Sequence, residues 1–324
     1  MSTVTRSEHV PVMMDRVLDL LAPAMTREGR RPILVDATLG LGGHTRAALD
    51  RFPDAVVVGI DRDPAALAAA RDRLVAYGDR LRTAETTYDR LSEVLAAERL
   101  ESADGVLFDL GVSSMQLDRV ERGFSYAHDA PLDMRMGDTA LTAADIVNTY
   151  SAQELARILR TYGEERFSRR IADAIVTTRD STPLRTSDQL VALIREQIPA
   201  PARRTGGNPA KRTFQALRIA VNDELAIVSR AIPEALEVTN TGGRVVAMAY
   251  HSLEDRIVKR AFAEATTSGA PADLPVVPSH LRPRYKLVTR GAERADTGEV
   301  EANPRAKSVR VRAVERLDAD REAS

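Results

Sequence analysis

Residues 33–45 read Ile-Leu-Val-Asp-Ala-Thr-Leu-Gly-Leu-Gly-Gly-His-Thr. The apolar run from Ile33 to Val35 predicts a buried strand that stops at Asp36. A glycine loop (Gly40, Gly42, Gly43) follows, and a helical pattern starts at about residue 45. Strand, glycine turn and helix make the opening of a nucleotide-type α/β fold. Glycines there leave no Cβ where a ligand must come close to the backbone. A dinucleotide fingerprint started at Gly40 would need glycine or alanine at 45, where Thr45 stands, and no Gly-Lys-Ser/Thr follows to cradle a phosphate. An acid at the strand end with a short glycine turn suits S-adenosylmethionine instead.

The same pattern recurs along the chain. Residues 55–61 form a second apolar run ending in Asp61, whose carboxylate can accept both ribose hydroxyls of an adenosine. Asp63-Pro64 then predicts a helix start, with Asp63 as cap and proline in the first turn. A third run, 105–109, ends in Asp109, and a fourth, 243–250, leads into His251. Three acids at successive strand ends would all lie on the carboxyl edge, where open α/β sheets bind ligands.

Composition narrows the chemistry. The chain has 324 residues, 44% hydrophobic and 29% charged, long enough for two domains or one with a large insertion. No run approaches the ~18 apolar residues of a membrane helix, and no secretory signal is visible, so a cytoplasmic protein without membrane contact is expected. There is no cysteine. That excludes disulfides, thiolate metal sites and iron–sulfur clusters. It also excludes carbon-5 methylation of pyrimidines by cysteine addition, so a methyl group should go directly to nitrogen or oxygen. Asp129, Asp133 and Asp138 lack regular ligand spacing, so a solvated or arginine-paired loop is expected there and no metal.

Net charge is −1, yet cations cluster. Residues 203–218 carry Arg203, Arg204, Lys211, Arg212 and Arg218 without an acid, and 279–291 carry Arg282, Arg284, Lys286 and Arg290. Such acid-free stretches suggest phosphate contacts. Strand and helix alternate up to about residue 116, with helices expected at 12–21, 64–76 and 88–98. From 139 to 200 only amphipathic helices are read, at 143–150, 152–161, 167–178 and 187–198, with Ser151 and Ser187 as caps. The expected organisation is a core from 1–116, an all-helical substrate-recognition insertion at 117–215, and a second core part at 216–324. Runs at 285–289 and 308–314 would close the sheet as an antiparallel pair, and the tail from about 317 reads as disordered. Phe124 and Tyr126, at the entry to the insertion, could offer an aromatic face to a base.

Nine segments together resemble one family. They are His9-Val-Pro-Val-Met, Asp36-Ala-Thr-Leu-Gly-Leu-Gly-Gly-His-Thr, Asp61-Arg-Asp-Pro, Asp109-Leu-Gly-Val-Ser-Ser-Met-Gln-Leu-Asp, Arg122-Gly-Phe-Ser-Tyr, Pro131-Leu-Asp-Met-Arg-Met, Tyr162-Gly-Glu-Glu-Arg-Phe, Arg212-Thr-Phe-Gln-Ala-Leu-Arg-Ile and His251-Ser-Leu-Glu-Asp-Arg. In this order the chain resembles the ribosomal RNA small subunit methyltransferase H family from about residue 9 to 314. The resemblance implies a class I S-adenosylmethionine-dependent methyltransferase sheet (α/β, Rossmann-like) with an all-helical insertion. It implies methyl transfer from S-adenosyl-L-methionine to N4 of a cytidine in the decoding (P-site) region of bacterial 16S rRNA, within the small ribosomal subunit. By matching motif it puts cofactor contacts on Gly42, Gly43, His44, Asp61, Tyr88, Asp109 and Gln116. Tyr88 stands where many members carry phenylalanine, which keeps a stacking face.

Cytosine N4 is a poor nucleophile, so catalysis is mainly positioning plus an acceptor for the amine proton. The Asn/Asp-Pro-Pro-Tyr/Phe box of many amino-methyltransferases is absent, since Asp109 is followed by Leu-Gly-Val. Asp109 could therefore hold the cofactor, meet the amine, or both, and His251 is the second candidate catalytic group. Arg203, Arg204, Lys211, Arg212, Phe124 and Tyr126 are the candidate RNA contacts. A nucleotide-dependent oxidoreductase is disfavoured by Thr45, and an rRNA-binding assembly factor with incidental methyl transfer is the alternative. The sequence does not specify an oligomeric state, and a homodimer is compatible with it.

Overall fold

The computed structural model describes residues 10–203, 208–271, 278 and 281–318. Two compact units are present: Met1–Gly111 with Ile227–Ser324, and Val112–Ala226.

The first unit is built on seven strands: β1 Ile33–Asp36, β2 Val56–Asp61, β3 Leu81–Glu85, β4 Ala103–Asp109, β5 Thr239–Ala249, β6 Tyr285–Leu287 and β7 Arg310–Arg316. Their order is β3-β2-β1-β4-β5-β7-β6, the first five parallel and β7 antiparallel to both neighbours. This is the expected class I methyltransferase sheet, closed by the antiparallel pair. β1, β2 and β4 are buried almost throughout, as parallel strands covered on both faces must be. Register sets Asp36 opposite Gly59 and Leu107, so Asp36, Asp61 and Asp109 all end on the carboxyl edge. Helices α1 Met14–Met25, α2 Gly43–Arg51, α3 Pro64–Arg73 and α4 Leu91–Ala97 belong to this unit. Asp63 caps α3, accepting from the Ala65 N–H at 3.1 Å with proline in the first turn.

The second unit is helical: α5 Ser114–Asp118, α6 Ala143–Thr149, α7 Ala152–Gly163, α8 Ser168–Arg179, α9 Ser187–Gln197, α10 Ala200–Arg203 and α11 Lys211–Asn222. Its own core gathers Leu155, Ile158 and Leu159 of α7 with Ile171 and Ile175 of α8, Leu190 and Ile194 of α9, and Phe214 and Leu217 of α11. Spacings of three and four put each set on one helix face. Ser151 caps α7 in a reciprocal box with Glu154, worth about 1 kcal/mol. At α9 the cap is Thr186, whose N–H bonds Gln189. Ser187 lies one place inside, where its hydroxyl accepts from the Ala130 N–H and donates to the His128 carbonyl.

The unit boundaries fall at Val112 and Ala226, wider than the expected 117–215. The reason is α11, whose apolar face completes the helical core. Asn222 at its end accepts from Met136 N–H and donates to the Met134 carbonyl, both 2.8 Å. Two further helices follow, α12 Glu224–Val238 and α13 Ser252–Thr266, and α14 Thr297–Ala302 precedes β7. In the expected tail, Leu317 donates to the Arg284 carbonyl at 2.9 Å, while residues 319–324 lie outside the described residues. No helix among the described residues is long and apolar enough to cross a membrane.

Candidate active site

The glycine loop is shaped by its protein neighbours. Gly42 has φ +72°, a left-handed conformation that favours glycine, and a Cβ there would meet Leu74 Cδ1 at 2.6 Å. A Cβ on Gly43 would meet Pro11 Cγ at 2.6 Å. Asp36, the acid at the end of β1, turns inward and is 2% exposed. It accepts from the Thr45 hydroxyl at 2.6 Å and the Thr38 N–H at 3.2 Å, and burial raises its pKa. Asp36 therefore braces the loop from inside, a different role from a ligand-facing acid.

Asp61 stays half-exposed at the end of β2. Its two oxygens accept from the Gly40 N–H at 2.8 Å and the Asp63 N–H at 2.9 Å. Each oxygen keeps a lone pair, so two hydroxyls of a ribose can still be received. Burial raises this carboxyl above its usual range. Tyr88, after β3, stands edge-on to Phe108 of β4, with centroids 5.9 Å apart at 81°. Phe108 thus fixes the plane of the Tyr88 ring.

Asp109, at the end of β4, is the centre of the polar cluster. Its N–H donates to Thr38 Oγ1 at 2.7 Å. The Tyr250 hydroxyl donates to its Oδ1 at 2.6 Å, and Oδ2 lies 3.7 Å from His44 Nε2. Burial, with the nearby negative charge of Glu254, outweighs the tyrosine bond and raises the Asp109 pKa to about 6. Burial raises Tyr250 well above its ordinary value, so it remains a protonated donor. His44 is 6% exposed, and neither ring nitrogen has a hydrogen-bond partner among the described residues. Burial lowers its pKa, which keeps the imidazole neutral beside the carboxylate.

His251 is itself the cap of α13. Its Nδ1 accepts from the Glu254 N–H at 3.4 Å, and Glu254 Oε2 accepts from the N–H groups of Tyr250 and His251. Its Nε2 lies 3.1 Å from Glu254 Oε1. Asp255 serves β7, pairing with Arg310 and Arg312. Glu254 and Tyr250 were missed in the sequence, the tyrosine because it closes an apolar strand.

The remaining candidates lie in the helical unit. Gln116 is 5% exposed, and its Oε1 is taken by the Ser113 N–H at 3.0 Å in the cap of α5. Phe124, 7% exposed, packs in the helical core with the Arg122 guanidinium 5.7 Å from its ring centroid. Tyr126 is half-buried, edge-on to Phe214 at 5.9 Å, and is the more accessible ring. Arg203, Lys211 and Arg212 are exposed, and Arg204 lies outside the described residues. In the second basic stretch Arg284 pairs with Glu237 at 2.6 Å and Lys286 with Glu315 at 2.7 Å. Both cations are partnered within the unit while their side chains stay exposed. Asp133 is bound in a fork by Arg135, 2.9 and 2.7 Å.

One sheet edge thus carries a strand-end carboxylate braced by two backbone N–H groups (Asp61), an aromatic face (Tyr88), a carboxylate with one tethered and one open oxygen (Asp109), and a buried imidazole with both nitrogens unspent (His44). Buried polar atoms are rarely left unpaired, so the two His44 nitrogens mark a place where a polar ligand fits. The set can bind an adenosyl group and accept one proton.

The chain is 62% identical over 309 residues to the ribosomal RNA small subunit methyltransferase H of Nocardioides sp., covering 95% of this chain and 96% of that protein. It is 59% identical over 314 residues to the protein of that name from Mycolicibacterium smegmatis, covering 95% and 84%. Among solved structures, the N-methyltransferase NodS of Bradyrhizobium japonicum with S-adenosyl-L-homocysteine is 10% identical with a TM-score of 0.40, covering 97% of this chain and 92% of that one. The MraW methylase family model matches residues 6–317, from before the glycine loop to beyond the last strand, and the chain belongs to that family.

Proposed function

We propose that this protein transfers a methyl group from S-adenosyl-L-methionine to N4 of a cytidine in the decoding (P-site) region of 16S rRNA, in the small ribosomal subunit. The coarser statement, an S-adenosylmethionine-dependent rRNA methyltransferase, follows the relatives that share its length. Methylation of an amine is supported by Asp109, a strand-end carboxylate with one oxygen tethered by Tyr250 and the other left open, raised to about 6. The cytidine and its region follow from the sequence resemblance.

When bound, S-adenosylmethionine supplies an electrophilic methyl group on a sulfonium. Asp61 would hold the ribose hydroxyls, Tyr88 would stack on the adenine, and the loop at Gly42 and Gly43 with His44 would enclose the rest. Asp109 Oδ2 would accept a hydrogen bond from one N4–H and take up that proton from the amine. A base with a pKa just below neutrality is ionised at pH 7 yet basic enough for the transfer. With no cysteine in the chain, addition to the ring at carbon 6 has no nucleophile of the usual kind. In the helical unit, Gln116 is read as a further cofactor contact, Phe124 and Tyr126 as offering an aromatic face to the base, and Arg203, Arg204, Lys211 and Arg212 as meeting phosphates.

Tritiated methyl transfer to small subunits from an unmethylated strain, followed by nucleoside mass analysis, tests the reading. N4-methylcytidine is the expected product, and Asp109→Asn should slow its formation a thousandfold or more, where pure positioning would cost about tenfold. Finding 5-methylcytidine would overturn the mechanism, and finding no methylated nucleoside would favour an assembly factor.

A further inference from the structure

The helical unit brings together two basic segments far apart in the sequence. α7 ends at Gly163, where a Cβ would meet the Arg212 carbonyl of α11 at 2.5 Å, so the two helix ends touch backbone to backbone. Arg212 Nη1 donates to the Glu164 carbonyl at 3.0 Å, and Gln215 Nε2 to the Tyr162 carbonyl at 3.0 Å. At the start of α8, Arg170 Nε donates to Gln197 Oε1 at the end of α9, 3.2 Å. α10, with Arg203, follows α9 directly. Four helix ends therefore meet at one end of the unit.

That end collects Arg166, Arg169 and Arg170 from the α7–α8 junction and Arg203, Lys211 and Arg212 from the later segment, all exposed. None of the six is ion-paired among the described residues. Arg135 and Arg218 of the same unit are different, bound to Asp133 and Glu224. The helix dipoles do not set the sign here, because two amino ends (α8, α11) meet two carboxyl ends (α7, α9). The side chains do. The acids nearby are Glu164, Asp173 and Glu196, while Glu165 is buried and accepts from the Phe167 N–H at 2.8 Å.

The guanidinium groups are also held in place. Arg166 lies 5.9 Å from the Phe167 ring centroid. Arg170 and Arg212 each spend one nitrogen on the protein and keep the others. Pre-ordered guanidinium forks suit phosphate oxygens, because less side-chain freedom is lost on binding. Between α8 and α9 an open groove of about 590 Å³ is lined by Arg169, Arg170, Asp173, Thr177 and Gln197. Arg169, Arg170 and Gln197 along it offer donors to the phosphates of a hydrated sugar–phosphate chain.

We propose that the α7–α8 junction joins the α9–α11 segment in one phosphate-binding face for folded RNA, with Arg166, Arg169 and Arg170 as contacts additional to Arg203, Lys211 and Arg212. This rests on the reading that rRNA is the substrate. In the full-length protein, Arg166, Arg169 and Arg170 are replaced together by glutamine, and binding to unmethylated small subunits is measured across salt. Each lost phosphate contact flattens the slope of log K against log salt by about 0.7–0.9, so losing three should lower the slope by roughly 2–3. KM for subunits should rise about 10- to 100-fold, with kcat at saturating subunits and S-adenosylhomocysteine affinity unchanged. Lysine replacements should restore most of the slope, and single Arg169→Gln serves where the triple variant melts early. An unchanged slope in a folded variant overturns the proposal, as does equal loss in the lysine variant, which would indicate a packing role. The binding readout does not depend on the nucleoside formed. Failure of the N4 assignment with a salt-dependent, arginine-dependent affinity would therefore leave this face standing.

Discussion

Tyr250→Phe isolates the tether on Asp109 with little change of shape. The phenol donates to Oδ1 at 2.6 Å, and the rest of the residue is held by its own N–H on Glu254 at 2.8 Å. A hydrogen bond to an ionised group contributes about 1.5–3 kcal/mol, equivalent to about one to two pKa units at 1.36 kcal/mol each. That bond opposes the burial that raises Asp109 to about 6. Removing it leaves burial and Glu254 acting alone, so the carboxyl should move up to about 7–8. The ionised fraction at pH 7 then drops from about 90% to between about 50% and 10%, and kcat/KM at pH 7 should fall about two- to tenfold. The neighbouring side chains on β1, α2 and α13 (Asp36, His44, Glu254, His251) stay in place. The assay is a profile of kcat/KM for subunits between about pH 5.5 and 9. The acid limb should shift to higher pH by one to two units, with near wild-type rates recovered at the alkaline end. A uniform loss at every pH, or an unmoved limb, would refute the reasoning, because Tyr250 would then be packing or touching substrate without tuning the base.

Asp61→Ala should remove two charge-assisted bonds to the ribose, costing about 2–4 kcal/mol, or roughly 30- to 1000-fold in cofactor affinity. Calorimetric titration with S-adenosylhomocysteine checks it, and unaltered affinity would remove β2 from the cofactor site. Asp109→Asn should make the protein more stable at neutral and alkaline pH. The folded pKa of about 6 lies above the unfolded 3.8, so the contribution of Asp109 is fully present below about pH 4 and lost as pH rises through 6. The side chain is 29% exposed, which reduces a nominal ~3 kcal/mol to about 1–2 kcal/mol at pH 8. Urea midpoints of the two proteins should converge at pH 4 and separate at pH 8, and an equal gap at both would contradict the burial argument.

The strands nearest the cofactor were legible because buried parallel strands are unbroken apolar runs, as in Ile33–Asp36 and Val56–Asp61. β3, Leu-Arg-Thr-Ala-Glu at 81–85, carries no such run, since it is an outer strand and half-exposed. The three strand-end acids read alike but differ in what reaches them. Thr45 and Thr38 capture Asp36, backbone N–H groups brace Asp61, and Tyr250 holds Asp109. Those partners are up to 141 residues away along the chain. Separation along the chain also concealed the pairing of Arg284 with Glu237 and of Lys286 with Glu315. Arg166, Arg169 and Arg170 were hidden differently. Glu164 and Glu165 precede them and balance a linear count, whereas the fold buries Glu165 and leaves the arginines outside.

The support beneath the glycine loop has a consequence for how this protein is made. Pro11 fills the space beside Gly43, and the segment around it is sewn to residues near the other end of the chain. Met13 N–H donates to Glu299, Asn303 donates to the Val10 carbonyl, and Arg16 pairs with Glu293. The loop for the first half of the sequence thus acquires its floor only when residues 293–303 have been synthesised. During translation at about 5–20 residues per second, the helical unit, whose contacts are local, can order well before that. Cofactor binding should therefore switch on late and abruptly in nascent chains, as residues around 300 clear the ribosome that made them. A chain stalled before that point would carry an ordered helical unit but an unfinished pocket, and so could occupy RNA without modifying it.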